Sequence, residues 1–278
     1  MHGFVEFTHA KDADGNENMT VNLSFVDWIS LALGMNVTFH DGDSPTSTYI
    51  PGLKPDGLLR ICDGLSQLGG FWPKLCVKKP DNTPSHVVSP SIYTSLNPND
   101  NDALTYYDSY IEEVWKKYED KTNPLKINIQ ADGPNSTVKV DNGRIVSCFV
   151  EGGQLVCDND AGTFVRPKTT DIWGCNSGPF DNVAGDSWSR MRVRPRLCAG
   201  FSRSTLHLNG VQPSNDIPVD MYYKYPITHH YARLVHESLI DGKGYAFSYD
   251  DVNPDMSNNA AGLVSGTHPV QLELYINA

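Results

Sequence analysis

Phe4-Val5-Glu6-Phe7-Thr8, followed by Val21-Asn22-Leu23-Ser24-Phe25-Val26-Asp27-Trp28, is the stretch on which the fold turns. Both segments are rich in aromatic and branched residues at strand spacing, and Glu6 and Asp27 are single carboxylates set among strand formers. A carboxylate so placed either points to solvent from the open face of a sheet or faces a cleft, where low dielectric favours its neutral form. Two such groups on neighbouring strands could divide acid and base work in glycosidic hydrolysis. Working outward, residues 3–8 read as a strand and 20–39 as one or two more, while the Pro-, Gly- and Asp-rich run 41–57 reads as loops.

Farther along, the run 80–102 is rich in Pro, Asn, Asp and Ser and marks a domain crossing. Tyr107, Ile111, Val114, Trp115 and Tyr118 share one helical face, which predicts a helix over 102–118 with Asp102 as its cap. Strands are expected at 125–129, 137–140, 144–151 and 154–157. A helix over 187–203 is expected to break or bend at Pro195, and another over 227–240 to stop at Asp241-Gly242. Short strands return at 244–249 and 269–276. This order suggests an all-β unit built from both ends of the chain with a mixed unit inserted.

The 278 residues carry 22 Lys+Arg against 33 Asp+Glu, a formal net charge of −11. That balance argues against a nucleic-acid partner, which is gripped by replacing counterions with protein cations. With 39% hydrophobic and 20% charged residues the chain is globular. Its longest apolar stretch, 25–39, contains Asp27, Gly34 and Asn36, which excludes an ordinary membrane span.

Six cysteines leave their connectivity open, and buried free thiols are the competing reading. One pair follows from geometry. Strands on either side of a Gly152-Gly153 turn place Cys148 opposite Cys157 as a close, non-hydrogen-bonded pair within reach of a disulfide. Elimination and proximity then join Cys62 to Cys76 and Cys175 to Cys198. Four glycosylation sequons, at Asn18, Asn22, Asn36 and Asn135, add to the cysteines in favouring an extracellular setting. Met1-His2-Gly3-Phe4-Val5 has no basic segment leading into an apolar core, so a fragment, a late gene start or a processed form is expected.

Other motifs carry less chemistry. His229 and His236 share a helix face but lie about 10 Å apart by helical rise, too far for one metal ion. Gly242-Lys243-Gly244 lacks the phosphate-loop pattern, and Gly174-Cys175-Asn176-Ser177-Gly178 has its serine one place late for a nucleophile elbow. The tryptophans could stack on sugar rings, although Trp115 and Tyr118 on a buried helix face read as core.

Val5-Glu6-Phe7-Thr8 with Val21-Asn22-Leu23-Ser24-Phe25-Val26-Asp27 resembles the glutamate strand and next strand of the thaumatin-like fold, whose acidic cleft lies between its β-layers. Gly244-Tyr245-Ala246-Phe247-Ser248-Tyr249-Asp250-Asp251 resembles that fold's closing segment. The closer similarity is to glycoside hydrolase family 64, β-1,3-glucanases with a thaumatin-like barrel plus an α/β domain. It extends through Tyr110-Ile111-Glu112-Glu113-Val114-Trp115, Thr170-Asp171-Ile172-Trp173-Gly174-Cys175 and Arg203-Ser204-Thr205-Leu206. It is most specific in His230-Tyr231-Ala232-Arg233-Leu234-Val235-His236 running into Asp241-Gly242-Lys243-Gly244-Tyr245-Ala246-Phe247.

The resemblance implies an α+β chain: a thaumatin-like β-sandwich or barrel from residues 1–85 and 241–278, and an inserted α/β domain from 86–240. It implies a secreted, monomeric endo-β-1,3-glucanase with no metal or other cofactor, acting on β-1,3-glucan polysaccharide in a long acidic cleft. Glu6 falls on the family's general acid and Asp27 on its general base, in an inverting mechanism, with Thr8 as a sugar contact. The family's barrel has strands upstream of the glutamate, and only five residues precede Glu6, so the β domain is expected to be incomplete at its N-terminus. Asn22 stands where many thaumatin-like proteins carry another cleft aspartate. The competing class is a non-catalytic thaumatin-like glycan-binding or defence protein.

Overall fold

In the computed structural model, residues 3–40, 42, 44–129, 145–214, 217–253 and 260–276 are described. The strand expected at 137–140 and the sequon at Asn135 lie outside them. The chain divides into two compact units, one of residues 1–97, 230–251 and 259–278, the other of 98–229 with 252–258. Residues 86–97 and 230–240, assigned from the sequence to the insertion, group with the terminal segments in this division.

The first unit begins with a hairpin of β1 (Phe4–Lys11) and β2 (Glu17–Ser24), antiparallel along their whole length. Asp12 builds its turn: Oδ1 accepts the backbone N–H of Asp14 and of Asn16 at 3.0 and 2.9 Å, while Gly15 supplies a φ of +84°. Then come β3 (Trp28–Ile29), β4 (Leu33–Phe39), β5 (Thr46–Ile50), α1 (Gly57–Ser66), β6 (Cys76–Lys78), β7 (Pro84–Val88) and α2 (Pro90–Leu96). The unit's other elements are α7 (His230–Ser238), β13 (Val264–Thr267) and β14 (Pro269–Ile276). They form three sheets, ordered β1-β2-β13, β14-β4-β5 and β3-β7-β6. Met19, Val21 and Leu23 of β2, with Met35, Val37 and Phe39 of β4, are buried as strand alternation demands. β1 is the outer strand of its sheet, and Phe7 on it is 62% exposed.

Helix α1 buries Ile61, Cys62 and Leu65, and the Cys62–Cys76 disulfide ties it to β6. It packs on α7 at Gly64, where a Cβ would lie 2.4 Å from the Leu234 side chain. From α7, Tyr231 donates its hydroxyl to the Phe25 carbonyl at 2.5 Å. His236 reaches the Gly242 carbonyl and the buried Asp250 carboxylate, each at 2.9 Å.

The second unit contains α3 (Asn101–Leu104), α4 (Asp108–Lys117), β8 (Leu125–Asn128), β9 (Ile145–Glu151), β10 (Gln154–Cys157), β11 (Gly162–Phe164), α5 (Thr169–Gly174), α6 (Trp188–Ser202) and β12 (Val211–Gln212). Its sheet runs β11-β10-β9-β8-β12, with β12 parallel to β8. Both turn glycines of the β9–β10 hairpin have positive φ, +58° and +79°. The resulting register sets Cys148 against Cys157, bonded across a Cα separation of 4.0 Å. Cys175–Cys198 is the third disulfide, so all three expected pairs are present.

Four expectations are corrected. The helix over 102–118 is two helices, because Tyr107 gives its backbone N–H to Thr169 Oγ1 at 2.9 Å instead of continuing the ladder. Asp102 therefore lies inside α3, whose flanking residue is Asp100. The loop run 41–57 holds β5, an edge strand bounded by Pro45 and Pro51. The strand over 244–249 is reduced to one parallel bridge at Tyr245, because the Asp250 carboxylate takes the Ala246 N–H at 3.0 Å and folds the segment into turns. Short α1, α2 and α5 lack the periodic length that reveals a helix; α2 nevertheless opens with the Ser89-Pro90 cap signature, Ser89 Oγ accepting the Ile92 N–H at 3.3 Å.

Candidate active site

Antiparallel pairing puts directly opposed residues on one face of the sheet, so the register of β1 on β2 decides what surrounds Glu6. Phe4 faces Ser24, Glu6 faces Asn22 and Thr8 faces Thr20. β13 extends the rows with Ser265 beside Thr20 and Thr267 beside Asn18. The face opposite the core is therefore polar, with a hydroxyl row at Thr8, Thr20 and Ser265 on one side of Glu6. Thr20 Oγ1 and Ser265 Oγ are 2.8 Å apart.

Ser24 is diagonal to Glu6 on the same face and donates its hydroxyl to Glu6 Oε1 at 3.0 Å. Beyond Ser24, Tyr245 completes the row: its backbone N–H donates to the Leu23 carbonyl at 3.1 Å, and its carbonyl accepts the Phe25 N–H at 2.8 Å. Tyr245 donates its phenol to Asp251 Oδ1 at 2.9 Å. Burial pushes that phenol up, and the negative charge of Asp251 adds to the rise, so Tyr245 is a neutral donor.

Asp27 lies in the bend that follows β2, exposed at its side chain, with its carbonyl accepting the Ser89 N–H at 2.7 Å. The next residue, Trp28, sets its ring 4.9 Å from that of Phe4. Since Phe4 shares the face of Glu6, this contact ties Trp28, the residue after Asp27, to the Phe4 end of that sheet. Asp27 also contributes to the high pKa of buried Tyr231, behind the desolvation that dominates it.

Glu6 and Thr8 thus share one sheet face, and Asp27 lies in the bend that follows the strand paired with theirs. Sequence reasoning placed Asn22 at a position where many thaumatin-like proteins carry a cleft aspartate, but missed Ser24, Phe4 and Tyr245 as neighbours. The Asp12-to-Asn16 turn is the signal that would have fixed the hairpin register and found the first two. Asn22, read as a glycosylation acceptor, is only 7% exposed and is closed to modification in the folded chain.

The other candidates are structural. His229 packs edge-on against Trp173, ring centroids 5.1 Å apart, and Ser177 donates to Asp171 at 2.6 Å. Among the described residues no group of three or more His, Cys, Asp or Glu side chains could hold a metal ion, and no helix is long and apolar enough to cross a membrane.

Residues 1–276 match the family described as Beta-1,3-glucanase, glycoside hydrolase family 64. The chain is 28% identical over 207 residues to the glucan endo-1,3-beta-glucosidase of Arthrobacter sp. (strain YCWD3), covering 72% of the chain and 34% of that protein. It has the same identity and coverage to its namesake from Cellulosimicrobium cellulans, so it spans about a third of the length of these relatives. Among solved structures, a laminaripentaose-producing β-1,3-glucanase in complex with laminaritetraose is similar with a TM-score of 0.77 and 27% identity, over 98% of this chain and 67% of that one. A β-1,3-glucanase domain from Clostridium beijerinckii shares the fold, with a TM-score of 0.66 and 16% identity over 98% of this chain and 72% of that one.

Proposed function

Since this chain belongs to glycoside hydrolase family 64, the β-1,3-glucanases, we propose that it hydrolyses internal β-1,3-glucosidic bonds of extracellular glucan, from a thaumatin-like β unit, with inversion at the anomeric carbon. Glu6 is the general acid and Asp27 the general base. Neutral Glu6 gives its proton to the departing glycosidic oxygen as the C–O bond breaks, while ionised Asp27 takes a proton from the water that attacks the anomeric carbon from the opposite side. One water is consumed, and the two carboxyl groups exchange protonation states before solvent resets them. Room for that water calls for carboxyl groups about 6.5–9.5 Å apart.

The observation that carries the reading is the setting of Glu6: an exposed carboxyl at the centre of a polar sheet face, fixed by Ser24 Oγ at 3.0 Å, between the Phe4–Trp28 aromatic pair and the Thr8 hydroxyl row. Aromatic rings offer a flat face to a pyranose ring and hydroxyls pair with its own, which suits a neutral sugar. Thr8 serves as the sugar contact.

Release of reducing ends from laminarin tests it. Glu6→Gln is expected to cut kcat by about 10²–10⁴-fold with glucan binding retained, and the first-formed product is expected to be the α-anomer by proton NMR. Binding without release by the folded wild type would instead identify a glycan-binding module, and a β-anomeric first product would remove the inverting assignment.

A further inference from the structure

Asn22 is the residue directly across the sheet from Glu6, and its carboxamide is in an unusual state for a buried group. The residue is 7% exposed, and its Oδ1, with less than 1 Å² open to solvent, accepts no hydrogen bond. A buried acceptor left without a donor is costly, and a catalytic role is one of the reasons such a group is kept. A sugar hydroxyl arriving from solvent does not reach an enclosed oxygen. Glu6 is its directly opposed neighbour, and opposed side chains on one antiparallel face have Cβ atoms about 4.5–5.5 Å apart.

Resting on the assignment of Glu6 as the acid, we propose that Asn22 is its positioning residue: Asn22 Oδ1 accepts the proton of the neutral Glu6 carboxyl in the free enzyme, while Ser24 holds the other carboxyl oxygen. When glucan binds, the O–H turns from Asn22 to the glycosidic oxygen, and cleavage transfers the proton there. The carboxylate left behind keeps the Ser24 hydroxyl bond. Asn22 thus favours the acid form before substrate arrives, and Ser24 the base form afterwards. The other titratable groups around this face are Asp27 in the bend after β2, and Tyr245 with Asp251 beyond Ser24. β1 and β13 add Phe4, Thr8, Ser265 and Thr267, which do not titrate.

The test compares wild type with Asn22→Leu and Asn22→Asp on laminari-oligosaccharides across pH. Asn22→Leu replaces an orphaned amide with an apolar group of similar size, which leaves folding intact or improves it. Its alkaline limb of kcat/KM, which reports the free enzyme, is expected to move to lower pH by about 0.5–1 unit, while that of kcat stays in place. Asn22→Asp is expected to move the same limb to higher pH through like-charge repulsion. An Asn22→Leu profile superimposed on wild type, or equal movement of both limbs, overturns the proposal. Asn22→Ala, which also removes the acceptor, supplies the same comparison should Asn22→Leu not fold. Turnover retained by Glu6→Gln would instead remove the assignment of the acid. The Asn22 contact is then decided without catalysis, by carbon-13 NMR titration of the Glu6 carboxyl in wild type and Asn22→Leu, where identical curves overturn it.

Discussion

At the scale of the residue, one serine hydroxyl orients the Glu6 carboxyl that we propose as the acid. Ser24 is buried, and its side chain reaches diagonally to the adjacent strand, to Glu6 Oε1 at 3.0 Å. A hydrogen bond to a charged partner contributes about 1.5–3 kcal/mol. Ser24→Ala is therefore expected to lower kcat by roughly tenfold or more, and to move the alkaline limb of kcat/KM to higher pH, opposite in sign to Asn22→Leu. Kinetics on laminarin as a function of pH check both. A variant with full kcat and an unmoved limb would show that the bond is incidental. Glu6 and Asp27 stood out as candidates because each is a lone carboxylate in a strand pattern, their roles coming from the family resemblance, whereas Ser24 is an ordinary strand residue until the register gives it a neighbour.

The element that sets this register is the β1–β2 hairpin, and its turn depends on Asp12. Hydrogen bonds from the Asn16 side chain and backbone hold the Asp12 carboxyl below its usual value of 3.8. A depressed carboxylate stabilises the fold fully above its unfolded value and loses that contribution as pH falls through the folded one. Thermal unfolding across pH is thus expected to show Asp12→Ala less stable than wild type at neutral pH, with the gap narrowing in acid. A gap that is constant or widens in acid would assign the loss to something other than the carboxylate. Local chemistry of this kind also explains which elements were readable. The Gly152-Gly153 hairpin was read residue for residue because two positive-φ positions admit one common two-residue turn. The 102–118 helix was read too long because its break depends on Thr169, 62 positions from Tyr107 in sequence.

For the whole molecule, the governing quantity is a net charge of −11, set against the neutral glucan that we propose as substrate. Hydroxyl and aromatic contacts release no counterions, so KM for laminarin is expected to change by less than about twofold between low and high salt. A steep salt dependence would point to a charged ligand. Composition, cysteine spacing and the two carboxylate-bearing segments were settled by the sequence itself, because patterning, turn chemistry and loop closure act over short distances. Family membership was legible for the same reason, in contiguous blocks such as 230–236. The meeting of Glu6 with Asn22, of Ser24 with Tyr245 and of Phe4 with Trp28 was decided by tertiary structure alone. These contacts depend on how β1 registers on β2, how the chain bends after Ser24, and how residues 241–251 return to the edge of β2. The hydrogen bonds and buried area that choose those arrangements join residues up to about 220 positions apart, as from Ser24 to Tyr245, beyond any periodicity that a linear reading detects.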